Sequence, residues 1–548
     1  MRSNILMVYP ESPVSYWSMH YYLQFIGKKA ATAPLGLITI AALTPPRYAI
    51  RLVDMSVQPL TDADILWADL VCFSAMLIQK EALFAAAARC RLLGKTVVFG
   101  GPYPTSSSEE CAAHCDVLVL DEGEITWPDF LRDWERGCHE KVYRASEKPD
   151  VTRTPVPRFD LLRVQDYLYM PVQFSRGCPF QCEFCDIIVL FGRKPRTKTP
   201  EQMLAELDAL YATGFRGFVF LVDDNFIGNK KEVKKLLPRL AEWNKAKGHP
   251  FYFGTEASIN LAEEPELMRL MVEALFFWVF VGIESPSLES LKETKKFQNI
   301  GAPLLSRVRA IQQAGIIVWG GFIIGFDSDD ETIFERQRRF IEEAGIPNAS
   351  VGLLYALTGT PLYERLKKEG RLYLPSDTGD APGLVDNHIH SGLTNIRMNI
   401  PRDILSARYH DLMRDLYVPH NFFSRVVTCL MNQPRPQSLW KRLQQVLWQS
   451  RLLQRNFLMK DPVTGKAPSL WVKWRRLFRA YRCLPPEFKR SVPGFIGEVL
   501  IKCPHQAAWI GPYILFGLHF YRLVFENMPS NHESPAPEQE IALAGRDL

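Results

Sequence analysis

The stretch Ser175-Arg176-Gly177-Cys178-Pro179-Phe180-Gln181-Cys182-Glu183-Phe184-Cys185 decides what fold the sequence predicts. Its three cysteines have the spacing C-x3-C-x2-C, and a tight loop of this kind can turn three thiolates toward one point. An iron–sulfur cluster takes such soft ligands and usually has four of them. Three ligands from one loop leave one iron open, as metal-based chemistry requires. A zinc site is the alternative, but it normally needs a fourth Cys or His nearby, and the next cysteine along the chain is Cys429.

Length and composition indicate an ordinary globular protein with two or three domains. The chain has 548 residues, of which 47% are hydrophobic and 23% are charged. A net charge of +5 is mild for this length, so we predict no nucleic-acid partner. Scattered cysteines and the lack of a signal-peptide pattern favour reduced thiols in a cytoplasmic protein. No apolar run reaches the ~18 residues that a membrane span needs.

Short apolar runs alternate with helical patterns in residues 1–147, which we take as the first domain. This alternation predicts a doubly wound, Rossmann-like α/β domain with a parallel sheet. The predicted strands are residues 5–9, 50–54, 70–75, 96–100 and 117–120. Ligands of such sheets bind beyond the carboxyl ends of the strands. The loops that begin at Asp54, Gly100 and Asp121 fall there.

A linker rich in Pro, Thr and charged residues at 148–165 leads to a second domain at 166–370. Six strand-like runs in it alternate with helical patterns, at 172–175, 217–222, 251–256, 278–283, 318–324 and 350–355. Six β/α units predict a partial (β/α)6 TIM-like barrel, whose site lies at the carboxyl ends of the strands. The cysteine loop and several carboxylates follow these strands. A single such carboxylate is often only a helix cap, but several in register indicate a site.

Residues 371–528 predict a mainly helical domain, and 529–548 are rich in Pro, Ser and Glu, which is typical of disorder. Residues 471–481 place arginines among Trp, Phe and Tyr side chains. A basic amphipathic helix of this kind can lie on the inner face of an anionic membrane. Alternatively, the helix packs on the barrel and its basic face is solvated.

The cysteine motif, with Phe184 before its last cysteine, resembles that of the radical S-adenosylmethionine (SAM) enzymes. The resemblance implies a [4Fe–4S] cluster on the catalytic residues Cys178, Cys182 and Cys185, with SAM on the open iron. It also assigns residues at the strand ends to the SAM site: Asp223 and Asp224 near the methionine amino group, Glu256 and Glu284 near the ribose or substrate, Gly321 and Gly325 beside the adenine, and Phe184 and Ser258.

Residues 1–147 resemble the cobalamin-binding domain that precedes many radical SAM cores. The likeness rests on the loop Gly100-Gly101-Pro102-Tyr103-Pro104-Thr105 and the turn Glu122-Gly123-Glu124. The residues that it assigns to cobalamin are Asp54, Ser74, Gly100, Gly101, Pro102, Thr105, Glu122 and Glu124. The Asp-x-His-x-x-Gly signature is absent, since Asp54-Met55-Ser56-Val57-Gln58-Pro59 has no histidine. We therefore expect no histidine from this loop below the cobalt.

Nearly the whole chain resembles a group of cobalamin-dependent radical SAM proteins with a helical C-terminal extension, which includes the hopanoid C-2 methylases. Phe297-Gln298-Asn299, Tyr417 to Arg425 and His519-Phe520-Tyr521 are among the matching residues. One departure is Ala274-Leu275-Phe276-Phe277-Trp278, where the group tends to have a glycine and a charged residue. This makes the edge before the fourth strand unusually apolar.

The resemblance implies a methyltransferase that moves a methyl group from SAM, via methylcobalamin, to an unactivated carbon of a hydrophobic substrate. A hopanoid or other isoprenoid lipid is the expected substrate, and a ferredoxin or flavodoxin the expected electron donor. One alternative keeps the cofactors but cyclises or rearranges a tetrapyrrole or lipid without methyl transfer. The other is a non-catalytic cobalamin or iron–sulfur sensor.

Overall fold

The computed structural model describes residues 4–373, 394–436, 438–457, 481–482 and 484–528. Two six-stranded sheets, each wholly parallel, form its framework, and a two-stranded antiparallel pair joins them at the cysteine loop. Helices cover the first sheet on both faces and the outer face of the second. The predicted α/β fold class is confirmed, because both sheets are parallel and alternate with helices.

The first sheet has the strand order β2-β1-β3-β4-β5-β6. Its strands are β1 (Asn4–Tyr9), β2 (Ala49–Asp54), β3 (Leu70–Ser74), β4 (Thr96–Gly100), β5 (Val117–Val119) and β6 (Val142–Tyr143). Its helices are α1 (His20–Ile26), α2 (Leu35–Leu43), α3 (Asp62–Trp67), α4 (Lys80–Leu92), α5 (Pro102–Ser106), α6 (Ser108–Ala112) and α7 (Gly123–Glu135). The central strand β1 is buried from Ile5 to Val8, as a strand covered on both faces must be. The order in which strands are added to the sheet reverses between β1 and β3, so a crevice opens at the carboxyl ends of these two strands.

The second sheet follows chain order and curves into an open barrel. Its strands are β7 (Met170–Val172), β10 (Gly217–Leu221), β11 (Phe251–Glu256), β12 (Phe276–Glu284), β13 (Ile317–Ile324) and β14 (Ala349–Leu353). The helices are α8 (Ile187–Leu190), α9 (Pro200–Ala212), α10 (Lys230–Ala246), α11 (Pro265–Glu273), α12 (Leu288–Glu293), α13 (Leu304–Gln313), α14 (Ile333–Ala344) and α15 (Pro361–Lys368). The prediction of six strands with intervening helices is confirmed.

The bounds predicted for the first barrel strand, 172–175, are wrong. The strand ends at Val172, and Ser175–Arg176 (β8) pairs instead with Arg196–Thr197 (β9). The reason is that the backbone amides of Phe174 and Ser175 donate to the Asp223 carboxylate, at 2.8 and 2.7 Å, rather than to a neighbouring strand.

Five helices complete the described chain: α16 (Arg402–Tyr417), α17 (Pro419–Asn432), α18 (Leu439–Phe457), α19 (Pro486–Lys502) and α20 (Ile510–Glu526). Helix α20 packs on α1, which the sequence did not predict, and the rings of Phe516 and Tyr22 stack with centroids 4.6 Å apart. Within the described residues, no helix is both long and apolar enough to cross a membrane. The basic stretch predicted at 471–481, except for Tyr481, and the tail at 529–548 lie outside the described residues. The domain boundaries stay predictions.

Candidate active site

The cysteine loop lies at the carboxyl end of the barrel, between β8 and α8. Gly177 has φ +91°, and a side chain there would come within 2.8 Å of the Gly192 carbonyl oxygen. Cys182 is buried, while Cys178 and Cys185 are partly exposed. Burial raises the pKa of Cys178 and of Cys185, and the charge of Cys182 raises both further. The three thiols are therefore close enough to interact electrostatically.

Two carboxylates at the end of β10 hold this loop by its backbone. Asp223 accepts from Phe174 N, Ser175 N and Ser175 Oγ, and Asp224 Oδ2 accepts from Gly177 N at 2.8 Å. Burial raises the pKa of Asp223 to about 7 and that of Asp224 to about 6. Both are thus occupied in positioning the loop, and their assignment to the SAM amino group stays a prediction.

Glu256 and Ser258 lie at the end of the next strand, β11. Burial, with the charges of Asp224 and Asp223, raises the pKa of Glu256 to about 8. Asn225 joins this strand to the cysteine loop, because its Nδ2 lies 3.2 Å from Ser258 Oγ and 3.8 Å from Cys178 Sγ. The structure therefore brings these predicted residues to one edge, as the register of parallel strands requires.

Glu284 ends β12 in a left-handed conformation, with φ +63°, beyond a bulge in the strand. Such a backbone is costly for a residue other than glycine, and Asn299 holds it by donating to the carbonyls of Gly282 and Ile283 at 3.0 and 2.9 Å. The Glu284 side chain accepts from Lys296 Nζ at 2.6 Å. Burial opposes the charge of Lys296, but the charges of Glu284 and Cys182 outweigh it and raise its pKa.

The two glycines predicted to lie beside the adenine are in close contact with aromatic and methionine side chains. A Cβ on Gly321 would lie 2.8 Å from the Phe280 ring, and one on Gly325 would lie 2.3 Å from Met398 Sδ. Phe184 packs near Phe326, with ring centroids 6.0 Å apart. Space at these glycines is already filled by neighbours, so their part in SAM binding stays a prediction.

The residues around the loop fit an iron–sulfur cluster and a cationic ligand. Three thiols supply the soft donor set, and Gln298 Nε2 donates to Cys182 Sγ at 3.4 Å. Gln298 Oε1 is buried without a hydrogen-bond partner, so the pocket beside the sulfur has an acceptor to offer. Three carboxyl groups with raised pKa values favour a positively charged ligand, such as a sulfonium. Among the described residues, no three Cys, His, Asp or Glu side chains meet at the distances of a single metal ion.

The residues predicted for cobalamin lie at the carboxyl edge of the first sheet. Asp54 is buried at the end of β2, where it accepts from Tyr167 OH at 3.0 Å and Ser56 N at 2.9 Å. Burial raises the pKa of Asp54 to about 6. Tyr167 belongs to the chain that enters the barrel, so Asp54 joins the two parts of the molecule.

The double glycine is needed by its protein neighbours. A Cβ on Gly100 would come within 2.8 Å of the Val119 carbonyl oxygen, and one on Gly101 within 2.3 Å of Ser74 Oγ. Gly101 also has φ +90°, and Pro102 follows as the first residue of α5. Thr105 Oγ1 donates to the Gly101 carbonyl at 2.8 Å. This loop is closely packed at the mouth of the crevice, and its contact with cobalamin stays a prediction.

Glu122 and Glu124 form ion pairs with the barrel. Glu122 is 4% exposed and accepts from Arg176 and Arg196, both at 2.7 Å. Glu124 accepts from Arg176 at 2.8 Å, and although burial raises the pKa of Glu124, the Arg176 charge holds it below its ordinary value. These glutamates therefore attach the first sheet to the cysteine loop.

Sequence reasoning missed Arg176, Arg196 and Lys296 as parts of the site. Arg176 stands inside the motif, two residues before Cys178, and that position was a usable signal. Lys296 and Arg196 lie outside the motif, and only the folded chain brings them to Glu284 and Glu122.

A cavity inside the barrel is lined almost wholly by aromatic and aliphatic side chains. We call it the inner chamber, and its lining includes Trp17, Tyr169, Phe218, Trp278, Trp319 and Phe516. Its cavity volume is about 70 Å³. The rings of Trp278 and Trp319 stack with centroids 4.5 Å apart. Burial, together with the charge of Glu256, raises the pKa of Tyr169 to about 12. Tyr169 therefore lies near Glu256, at the carboxyl end of β11.

Comparison with known sequences gives consistent matches. Residues 172–341 match the Radical SAM superfamily, and residues 360–505 match a domain of unknown function, DUF4070. The chain is 46% identical over 433 residues to an uncharacterized methyltransferase of Synechocystis sp., covering 79% of each protein. It is 37% identical over 426 residues to a hopanoid C-2 methylase of Rhodopseudomonas palustris, covering 77% of this chain and 78% of that one.

Among solved structures, the cobalamin-dependent S-adenosylmethionine radical enzyme OxsB, with aqua-cobalamin bound, has a similar fold. Its TM-score is 0.59 at 14% identity, and the match covers 96% of this chain and 84% of OxsB. The likeness therefore extends through both sheets and the C-terminal helices.

Proposed function

Because the chain belongs to the B12-binding-domain radical SAM enzymes that include the hopanoid C-2 methylases, we propose that it methylates an unactivated carbon of a hopanoid or other isoprenoid lipid. Membership confirms the prediction of an enzyme of the radical SAM methyltransferase type, with a [4Fe–4S] cluster and SAM as cofactors. It also sets the sensor alternative aside.

The inner chamber is the observation that carries the choice of substrate. Its lining is mainly aromatic and has few polar groups, as the lining of a site for a hydrophobic ligand should. A fused-ring lipid is larger than the volume of this cavity, so the aromatic side chains of the lining would have to move apart to admit it. The hopanoid C-2 methylase relative supports the same substrate class.

The proposed mechanism assigns work to this chain's own residues. When bound, the cluster and SAM supply a 5′-deoxyadenosyl radical, and cobalamin supplies the methyl group. Cys178, Cys182 and Cys185 would hold the cluster, while Asp223 and Asp224 hold the loop that carries them. The crevice beyond Asp54, Ser74 and Gly101 would hold cobalamin. A lipid body seated on the aromatic lining would exclude water there and orient the target carbon toward the carboxyl ends of the strands.

Anaerobic reconstitution with SAM, cobalamin and a reductant such as ferredoxin or flavodoxin tests this proposal. With a hopanoid present, we expect 5′-deoxyadenosine, S-adenosylhomocysteine and a product heavier by one methylene unit. Cys182→Ala should abolish 5′-deoxyadenosine and the methylated product, whereas Cys138→Ala, at an exposed cysteine, should leave all three products unchanged. If 5′-deoxyadenosine forms without S-adenosylhomocysteine or added mass, methyl transfer is wrong and the cyclisation or rearrangement alternative gains support.

A further inference from the structure

A second cavity adjoins the inner chamber at the amino ends of β12 and β13. We call it the outer chamber, and its lining includes Val272, Leu275, Gln433, Arg435, Gln449 and Gln506. Its cavity volume is about 370 Å³. Phe277, Ile317 and Trp509 line both chambers, and the rings of Phe277 and Trp509 stack with centroids 5.5 Å apart. The two cavities therefore adjoin at these three residues.

The unusually apolar edge Ala274-Leu275-Phe276-Phe277-Trp278 accounts for this connection. Leu275 and Phe276 line the outer chamber, Trp278 lines the inner one, and Phe277 lines both. Charged side chains at this edge would have to be desolvated by an apolar molecule lying across it. The observed residues impose no such cost on a hydrophobic ligand.

The outer chamber differs from the inner one in its polar lining. Four glutamines border it, at positions 433, 445, 449 and 506. Gln433 is 6% exposed, and its Nε2 has no hydrogen-bond partner. Gln449 Oε1 is likewise buried without a partner, although Gln449 Nε2 donates to Gln506 Oε1 at 3.0 Å. A buried amide without a partner costs free energy that a polar ligand group can recover.

We propose that the outer chamber binds the polar, hydroxylated end of an amphipathic lipid whose apolar body occupies the inner chamber. Amide groups both donate and accept, so they suit neutral hydroxyls. The cation that borders the chamber, Arg435, is exposed at its rim, so no buried charge demands an anionic headgroup. This assignment rests on the proposed lipid substrate. It adds a binding site for the polar end of that lipid.

The depth of the barrel sets the length of molecule that would reach from the outer chamber to the reacting centre. Trp278 and Glu284 lie on one strand, six residues apart, which corresponds to about 20 Å. A fused-ring body extended by a hydroxylated chain can span that depth. Its apolar end would then lie at the carboxyl ends of the strands, near Glu256, and its hydroxyls among the glutamines.

Lipid binding to the cofactor-loaded protein without reductant tests the assignment independently of methyl transfer. The probes are a hopanoid with a tetrahydroxylated side chain and the matching hopanoid without those hydroxyls. The wild-type protein should bind the hydroxylated probe more tightly. Gln433→Met keeps the length of the side chain but removes its amide, so it should weaken that probe about 3- to 10-fold and leave the other unchanged.

Gln24→Met, at an exposed glutamine on α1, is the matched control and should alter neither affinity. Equal affinity of the wild-type protein for the two probes, or an equal effect of Gln433→Met on both, would overturn the assignment, as would failure of both probes to bind. If the protein binds the hydroxylated probe selectively but forms no methylated product, the assignment of the outer chamber stands. The proposed methyl transfer would then be wrong.

Discussion

Buried and partly buried carboxyl groups dominate the charge around the cysteine loop. Asp223, Asp224 and Glu256 all have raised pKa values, and Lys296 is the cation whose charge opposes that rise at Glu256. Their burial without a full set of positive partners is unfavourable in the ligand-free protein. It prepares the pocket for a ligand that brings its own positive charge.

The stability of the ligand-free protein should consequently fall with rising pH. The pKa of Glu256 in the folded protein, about 8, lies above its unfolded value, so the folded state retains a proton that the unfolded state has lost. The free energy of unfolding should therefore decrease as the pH rises from about 5 to about 8, by at most about 1.4 kcal/mol per pH unit for one proton. Urea unfolding across this range measures the slope.

Glu256→Gln should flatten that slope, because the amide does not titrate. Glu242→Gln, at an exposed position on α10, should leave it unchanged. An identical slope in the wild-type protein and in Glu256→Gln would show that this carboxyl is not the group responsible.

Lys296 and Glu284 should set the reduction potential of the cluster in opposite directions. Lys296 acts electrostatically on Cys182 and Cys185 while it is paired with Glu284. Loss of a nearby positive charge disfavours the more negative, reduced cluster. Lys296→Met should lower the midpoint potential and Glu284→Gln should raise it, each by on the order of 2 kcal/mol, or roughly 80 mV for one electron.

Redox titration followed by electron paramagnetic resonance measures both variants, with Lys292→Met on the exposed side of α12 as the control. Shifts of the same sign in Lys296→Met and Glu284→Gln would mean that altered packing, and not charge, governs the potential.

At the scale of helices and strands, local patterns were sufficient for most of the architecture. The apolar runs at 217–222 and 251–256 coincide closely with β10 and β11, because apolar residues there are bounded by glycine or proline. Helix α1 was missed because Met19, which precedes it, has φ 52° and provides no side-chain cap, and because the helix packs on another almost 500 residues away. Pairings over such separations leave no local pattern to detect.

Some residues of the candidate site could likewise be predicted from the sequence, and others could not. The cysteines and the carboxylates at strand ends could be predicted, since a motif or a strand terminus marks each of them. The unpartnered amide of Gln433 could not, because its surroundings come from α17, α18 and the barrel together.

We expect the ion pairs of Arg176 to stabilise the contact between the first sheet and the cysteine loop. The Arg176 side chain is 12% exposed and lies between Glu122 and Glu124, and removal of one partner from a buried pair costs about 3–5 kcal/mol. Arg176→Met should lower the free energy of unfolding by that amount, as measured in urea. Arg176→Met with Glu124→Gln should recover part of the loss, because one buried charge is then removed.

Arg132→Met is the control, since Arg132 pairs with Asp129 and Asp133 on the surface of α7 and should cost less than about 1 kcal/mol. Equal losses in Arg132→Met and Arg176→Met would contradict the role given to the link.

Across the whole molecule, the two ends of the described chain meet and close the open side of the barrel. Tyr16, before α1, lies against Phe520 of α20 with ring centroids 4.7 Å apart, and Phe520 lies 5.0 Å from Tyr417 of α16. Nε2 of His519, which is buried, lies 3.3 Å from the Tyr16 carbonyl oxygen. A substrate cavity built from all three regions requires that they fold as one unit.

Phe520→Ala should test that unity, because this ring is fully buried where the three regions meet. Loss of a buried phenylalanine costs about 3–5 kcal/mol, and the cost should lower the unfolding midpoint of the entire chain in a single transition. Phe525→Ala, at a ring on α20 that is 37% exposed, should cost less than about 1 kcal/mol. Tryptophan fluorescence and circular dichroism should report the same shift for Phe520→Ala. An early transition confined to the helices, with the parallel sheets unaffected, would show instead that the C-terminal region closes the barrel without sharing its stability.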